Sequence, residues 1–564
     1  MLILALPSFA ATIVVEQDGS GDADTVMGGV ALAAAGDVVE LGPGTYVEDV
    51  DFQAKAISIE GRAGAGVTIL QGTGGGPVVR VDSGEGAGTR LAGVTVTGGV
   101  ADAGGGIYVK DATLALDGVI VSGNTATDGG GVVSSGGTLT LANVEVRGNV
   151  ATDSGAGVYV FEGSFVATDT VIAENEAAEY GGGLVLYGEG AATDLSLEGN
   201  TAGNTGGNGY VGANLTCVRC TVSGGVASSA AGLFVGDGAE VTLTAGDFTG
   251  NTSSEEGGGL FAYDGARVLV ESATFSGNSA TFGAGVLVWS SDFQAYWTTF
   301  ADNLADGGGG VYADGSTLFL QNTVFTGNEA ATSNGGGLAA DTCIVDVLAS
   351  VFAVNAGYSG GAVHVGGESL ASLQNVTMVE NASSGSAGGV RVAGTSLVSI
   401  FNTIVAWSSD GSGISAAATA FADVQYGDLY VNEGGATSDA LADPTGTSGN
   451  LAVDPGFVSF ADDGVYADDL HLLAGSALVD AGHPDILDAD GSPSDIGAYG
   501  GPAGDAWEDG DGDADGSPDS ADCDDDDPDV SPGATEACNG VDDDCDGETD
   551  EGCVGDTGDT GDTG

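Results

Sequence analysis

The sequence predicts an all-β solenoid, a parallel β-helix of about twelve or more coils, and three observations lead there. First, two copies of one unit follow each other between Phe248 and Trp289, each reading Phe-x-x-Asn, a polar bend, a glycine cluster and an alternating apolar run. Second, the bend recurs at Gly99, Asn124, Asn149, Asn175, Asn200, Gly225, Asn251, Asn278, Asn303, Asn328, Asn355 and Asn381, at intervals of 25 to 27 residues. Third, the apolar runs are short and of period two, as in Val286-Leu-Val288 and Leu318-Phe-Leu320, which suits strands and not amphipathic helices. Three such strands per unit make one coil. Coils stacked about 4.8 Å apart give a rod on the order of 60 Å long.

Taken in order, residues 1–11, MLILALPSFAA, read as a signal-peptide remnant: an apolar core followed by small residues, lacking a basic start and too short to span a bilayer. Residues 12–98 form the N-terminal cap and first coils, with a short helix from about Thr25 to Ala35 covering the open end and a turn at Gly42-Pro43-Gly44. Residues 99–407 are the repeats. There the bend asparagines are expected to adopt left-handed backbone and to bond amide to amide between coils. Glycines 257–259, 307–310 and 335–337 allow tight corners. Phe248, Phe275, Phe300, Phe325 and Phe352 share one position and predict an interior aromatic stack.

Alternation turns Ile107, Val109, Val158, Val160, Leu184, Leu186, Val286 and Val288 inward. Their neighbours therefore face out, and these include Tyr108, Tyr159, Phe161, Tyr187, Phe234, Phe261, Tyr263, Trp289 and Tyr312. Such a ladder offers a ligand face for sugar rings or protein; the alternative is that the rings only stack on one another. Further along come Asp314, Asp341, His364 and Arg391 on consecutive coils. In register the two aspartates would stand about 5 Å apart, the separation of a retaining glycosidase. Acidic residues are abundant in the chain, so the pair is also expected by chance, and no catalytic residue is assigned.

Residues 408–504 supply the last coils and a C-terminal cap, with Asp488 and Asp490 either a cation site or a structural turn. Residues 505–553 carry 21 Asp and Glu and no Lys or Arg, a density that calls for a counter-charge. Asp511, Asp513, Asp515, Ser517, Asp519 and Asp522 fall at places 1, 3, 5, 7, 9 and 12 of a calcium loop, with Gly516 at its sharp turn. A second loop runs through Asp542, Asp544, Asp546, Glu548 (by its carbonyl) and Asp550, with Glu551 or water replacing the last ligand. The alternative is a solvated acidic linker. Cys523, Cys538, Cys545 and Cys553 predict two disulfides in one of three connectivities, a four-cysteine zinc site being the other possibility. Cys217 and Cys220 predict a further bridge, leaving Cys343 buried and free. Residues 554–564 are a Gly-Asp-Thr linker.

The motifs FTGN, FSGN, FADN and FAVN, with GGGL, GAGV and GGAV, resemble the repeats of polymorphic outer-membrane proteins over residues 99–407, which implies a right-handed β-helix in a secreted or surface-displayed adhesin. The opening, QDGSGD at 17–22 and GTYVE at 44–48, resembles the start of pectin methylesterases and so the pectin-lyase-like superfamily; the catalytic segments of those esterases, of polygalacturonases and of pectate lyases are missing. The stretch from Asp522 to Glu551 resembles the MopE-type metal-binding repeat, whose name implies copper, although oxygen-only ligands imply calcium.

Nine Lys and Arg against 82 Asp and Glu give a net charge of −73. Nucleic acid and anionic membranes are thereby poor partners and divalent cations good ones. The reading is an exported surface or extracellular protein, a non-enzymatic binding scaffold with a calcium-binding C-terminal module, whose partner is a cell-surface glycan or protein, with no membrane span. A polysaccharide-acting enzyme, hydrolase or lyase, and a structural envelope spacer are the competing classes.

Overall fold

Alternation builds the wall. In the computed structural model, which describes residues 10–461, 464, 469–488, 491–508, 530 and 545, every second residue of each run turns inward and stacks on its equivalent one coil away. One such column runs from Ile13 through Val39, Ile59 and Leu91 to Leu373, Ile400 and Val424, all in parallel register. It passes through about 17 turns of a parallel β-solenoid. The expected inward residues, from Ile107 to Val288, are fully buried. The repeat alone counts fewer coils because the first and last turns lack the Phe-x-x-Asn signature.

The interior has two continuous features. The five phenylalanines are buried and stacked, with ring centroids 4.5 Å apart from Phe248 to Phe275 and from Phe300 through Phe325 to Phe352, and 5.3 Å from Phe275 to Phe300. The bend asparagines form a hydrogen-bonded ladder. Asn303 donates from its backbone and from Nδ2 to Oδ1 of Asn328, at 3.2 and 2.9 Å, and Asn328 does the same to Asn355. Each Nδ2 also reaches a carbonyl on the preceding coil, such as Phe275 O, 2.8 Å from Asn303. These asparagines do not adopt left-handed backbone, contrary to expectation. The residue before each one does, at Gly123, Glu174, Asp302 and Val354 among others. Asparagine is required here for its amide, and the conformational demand falls on its neighbour.

In the glycine corners only one residue needs positive φ, for example Gly257 at +61° and Gly308 at +62°. The next is excluded by closeness: a Cβ on Gly258 would stand 2.3 Å from the Ala284 carbonyl oxygen.

The N-terminal helix, α1 (Val26–Leu32), is capped by Thr25 Oγ1, which accepts from Gly28 N. Glu48 accepts the N–H groups of Val26 and Met27 at 2.8 and 3.0 Å, and Lys55 donates to the Val30 carbonyl at 2.6 Å. Val26 and Val30 are buried in the main core, so the helix covers the end of the solenoid.

The closing segment differs from expectation. Ala420, Ala422, Ala436 and Leu441 pack over the end of the core, whereas the described residues between 457 and 498 lie along the flank. There Phe457, Leu470, Leu478, Ile496 and Ala498 bury the outward-facing Val351, Ala353, Val379, Ile404 and Ala406. Asn375 Nδ2 donates to Ser494 Oγ and Asp495 O at 2.9 and 3.0 Å. Asn322 Nδ2 reaches Ala503 O at 2.8 Å, just inside α2 (Gly501–Glu508). The sign of this is in the sequence: 351–354, 376–379 and 403–407 are apolar almost throughout, as strands buried on both faces must be. Cys217 and Cys220 form the expected disulfide inside the wall, and Cys343 is buried and free.

Candidate functional site

After each glycine corner the outward positions form two parallel columns. The first runs Arg80, Tyr108, Val133, Tyr159, Val185, Tyr210, Phe234, Phe261, Leu287, Tyr312, Ala339, His364, Arg391. The second, two residues later along each strand, carries Phe161 and Tyr187 and then Tyr263, Trp289, Asp314, Asp341 and Gly366 in unbroken register. The nine aromatic residues of the expected ligand face therefore divide between two columns, and Asp314 and Asp341 stand in a different one from His364 and Arg391.

Exposure separates the columns. Phe161, Tyr187, Tyr263 and Trp289 of the second are 46, 37, 44 and 40% exposed, whereas Phe234 and Phe261 of the first are buried. Phe234 stacks on Tyr210, with centroids 4.6 Å apart, and Tyr210 meets Tyr187 at 5.6 Å. Tyr210 was missed in the sequence although Gly209-Tyr210-Val211 has the right alternation, because Asn208 stands where a corner glycine is usual. Phe282, an isolated bridge residue just before the glycine corner, meets Tyr312 at 5.4 Å. The rings thus do stack on one another, and the second column still presents an open aromatic edge.

Trp289 is followed on the next two coils by Asp314 and Asp341, directly paired. Tyr312 Oη donates to Asp341 Oδ2 at 3.4 Å. Gly366 makes room for the same carboxylate: a Cβ there would stand 2.1 Å from Asp341 Oδ1 and 3.0 Å from His364 Nε2. Burial holds the Asp341 carboxyl above the usual range, opposed by the Tyr312 hydrogen bond. Asp314 is raised by burial and then by the negative charge of Asp341. Burial and the same two carboxylates push the Tyr312 hydroxyl up to about 12, so it stays a donor. His364 is 5% exposed, and burial with the nearby Arg391 charge brings it down to about 4, leaving the imidazole neutral. Its buried Nδ1 has no hydrogen-bond partner of normal geometry among the described residues. Arg391 donates to Ser415 Oγ at 2.6 Å and pairs with Asp439.

A second acidic group lies on the flank. Asp488, one of the two aspartates named in the sequence as a cation site or a turn, has an oxygen within 4.8 Å of oxygens of Asp480 and Asp495. These carboxylates also serve the backbone, Asp488 Oδ2 accepting from Asp495 N at 3.1 Å and Asp495 Oδ1 from Asp480 N at 2.7 Å. Asp490 and the loop ligands Asp511, Asp513, Asp515, Ser517, Asp519, Asp522, Asp542, Asp544, Asp546, Glu548, Asp550 and Glu551 lie outside the described residues, as do Cys523, Cys538 and Cys553. Cys545 is disulfide-bonded. The donor set of that module can still be weighed from the sequence: all three His and all three Met of the chain lie elsewhere, leaving carboxylate and carbonyl oxygens, which suit hard cations, beside the four cysteine sulfurs.

Fold and site define a parallel β-helix protein, and two stretches match known families. Residues 210–350 match the right handed beta helix region, and residues 522–551 match the metal-binding motif Cu-binding MopE. No curated protein matches the chain. Among solved structures, a pectin methylesterase from carrot is 15% identical with a TM-score of 0.27, covering 54% of this chain and 87% of its own. The pectate lyase Pel9A is 15% identical with a TM-score of 0.23, covering 87% and 96%. The A-module of the mannuronan C-5 epimerase AlgE6 from Azotobacter vinelandii is 13% identical with a TM-score of 0.20, covering 74% and 94%. Overlaps of this size say nothing of what this chain acts on. Among the described residues no helix is long and apolar enough to cross a membrane.

Proposed function

We propose that the protein is an exported, surface or extracellular scaffold that binds an extended glycan along its outward aromatic columns. The observation that carries this reading is the open edge formed by Phe161, Tyr187, Tyr263 and Trp289, each more than a third exposed and rigidly spaced by the coils beneath. Aromatic faces fixed on a rigid wall bind sugar rings with little loss of conformational freedom. Glycan-affinity electrophoresis of the full chain tests it: retardation by one polysaccharide, weakened at least tenfold in Trp289→Ala and Tyr263→Ala, supports the reading. No retardation by any polysaccharide favours the envelope spacer.

The C-terminal module is assigned to calcium on its oxygen donors and loop spacing. Calorimetric titration of the full chain with calcium, magnesium and copper checks this. Calcium uptake lost in Asp513→Asn combined with Asp544→Asn is expected, and preferential copper uptake would overturn it.

A further inference from the structure

The strand register sets an aromatic, aromatic, acid, acid, glycine series on five successive coils, Tyr263, Trp289, Asp314, Asp341 and Gly366. We propose that Asp314 and Asp341 hydrolyse glycosidic bonds of a neutral or cationic polysaccharide seated on the aromatic edge, with Asp341 as nucleophile and Asp314 as acid and then base. The inference rests on the glycan-binding reading and adds to it a reaction, a pair of residues and a substrate class.

Three observations beyond the acidity of the pair carry it. Its placement is fixed by the wall: Asp314 and Asp341 are paired in register on neighbouring coils, whose backbones lie about 5 Å apart, so the two carboxyls project side by side from adjacent rungs as a nucleophile and its acid partner must. The two carboxyls have distinct surroundings. Asp341, although raised by burial, accepts from the Tyr312 hydroxyl at 3.4 Å and leans over Gly366, contacts that favour its anion, whereas Asp314 is raised both by burial and by the charge of Asp341. Finally, the His364 side chain is more than nine-tenths buried and neutral, its Nδ1 has no hydrogen-bond partner of normal geometry among the described residues, and its Nε2 lies beside Gly366, where the same carboxylate also reaches. Such an imidazole offers an uncharged polar contact to a substrate hydroxyl beside the nucleophile.

The substrate class follows from charge. At −73 the chain repels polyanions, and the pair itself adds negative charge at the point of contact. Uncharged or amino-bearing chains are therefore favoured over uronans and sulfated glycans.

The reaction balances in two steps. Asp341 Oδ attacks the anomeric carbon, the glycosidic C–O bond breaks, and the proton of Asp314 passes to the leaving oxygen. Water then attacks the same carbon, giving one proton to the Asp314 carboxylate, and the bond to Asp341 breaks. The product keeps the starting anomeric configuration and one water is consumed per bond cleaved.

The test uses the full chain with β-glucan, mannan, xylan, galactan and chitosan, and with pectate and alginate as anionic counterparts. Retention on each is measured beside the release of soluble sugars. Asp314→Asn and Asp341→Asn are isosteric, and their circular dichroism and melting midpoints are compared with wild type. Release from a retained neutral or cationic polysaccharide, falling at least a thousandfold in both variants while retention stays within twofold, supports the proposal, as does retained configuration by proton NMR. Retention without release overturns the reaction and leaves the binding reading intact, as does release that survives both substitutions. Preferential release from pectate or alginate overturns the substrate class. No retention on any of the seven overturns the binding reading and this inference with it.

Discussion

Asn208 fills the rung that Gly225 leaves empty. At this coil the ladder position is a glycine, and the amide of Asn208, 17 residues earlier at a glycine corner, enters the vacant space. It accepts from Asn200 N and Nδ2 at 3.1 and 2.9 Å and donates to Asn251 Oδ1 at 3.0 Å. A Cβ on Gly225 would stand 2.7 Å from Asn208 Nδ2, so the two positions exchange one side chain between them.

Asn208→Ala strands two buried donors of Asn200, each of which costs about 1–3 kcal/mol when unpaired. The variant is expected to lose about 3 kcal/mol in urea denaturation. The exposed Asn204→Ala, whose amide only touches Tyr180 Oη at 3.4 Å, stays within about 0.5 kcal/mol of wild type.

Phe300→Ala removes the middle ring of the interior stack. Rings on both sides remain fixed by their own coils, so the cavity cannot collapse, and a loss of about 4 kcal/mol is expected. Phe319→Ala, a ring in contact with Tyr296 on the outer surface, provides the comparison and should cost much less. Equal losses would show that the stack is not the origin of the effect.

Asp428 gives a pH signature. It is fully buried; Oδ1 accepts from Val453 N at 2.9 Å and Oδ2 has no partner among the described residues. Burial, with the charge of Asp454 adding to it, raises the carboxyl to about 7 from 3.8. A folded value above the unfolded one means that the group's contribution is complete at low pH, declines as pH rises from about 4, and is lost above about 7. Asp428→Asn should remove that slope and raise stability at pH 8 by about 3 kcal/mol. The difference between the two melting curves across this interval is the measurement; identical slopes would exclude Asp428.

Reducing Cys217–Cys220 frees a loop of four residues, for which chain entropy assigns about 2 kcal/mol. Both cysteines are under 5% exposed. Reduction should therefore be slow in native buffer, follow unfolding in denaturant, and lower stability by no more than about 2 kcal/mol.

The architecture was legible because its causes are local. Alternation, glycine corners and a fixed interval determine a coil, and Phe248 or Asn303 finds its partner by sequence spacing alone. What was not legible depends on departures from that spacing. Asn208 replaces Gly225 from outside the repeat position, and Tyr210 is hidden by the same substitution. The described residues between 457 and 498 return to a flank set by contacts about 120 residues away, such as Asn375 with Asp495. At the acidic pair, period two placed Asp314 beside Asp341, but which side chains meet depends on columns: His364 belongs to one and Asp341 to the other, and Gly366 is what lets the two share a space.

The flank contact has a mechanical consequence. A stack of coils pulled from one end ordinarily peels a coil at a time, each rupture needing little force. Here a load applied at α2 meets the bonds from Asn322, Asn375 and Asn402 to the returning segment before it reaches the last coil. Those bonds and the apolar seam around Ile404 are strained in parallel, so they must yield together. The returning segment thus acts as a clasp, changing the end of the rod from a peeling edge into a shear joint.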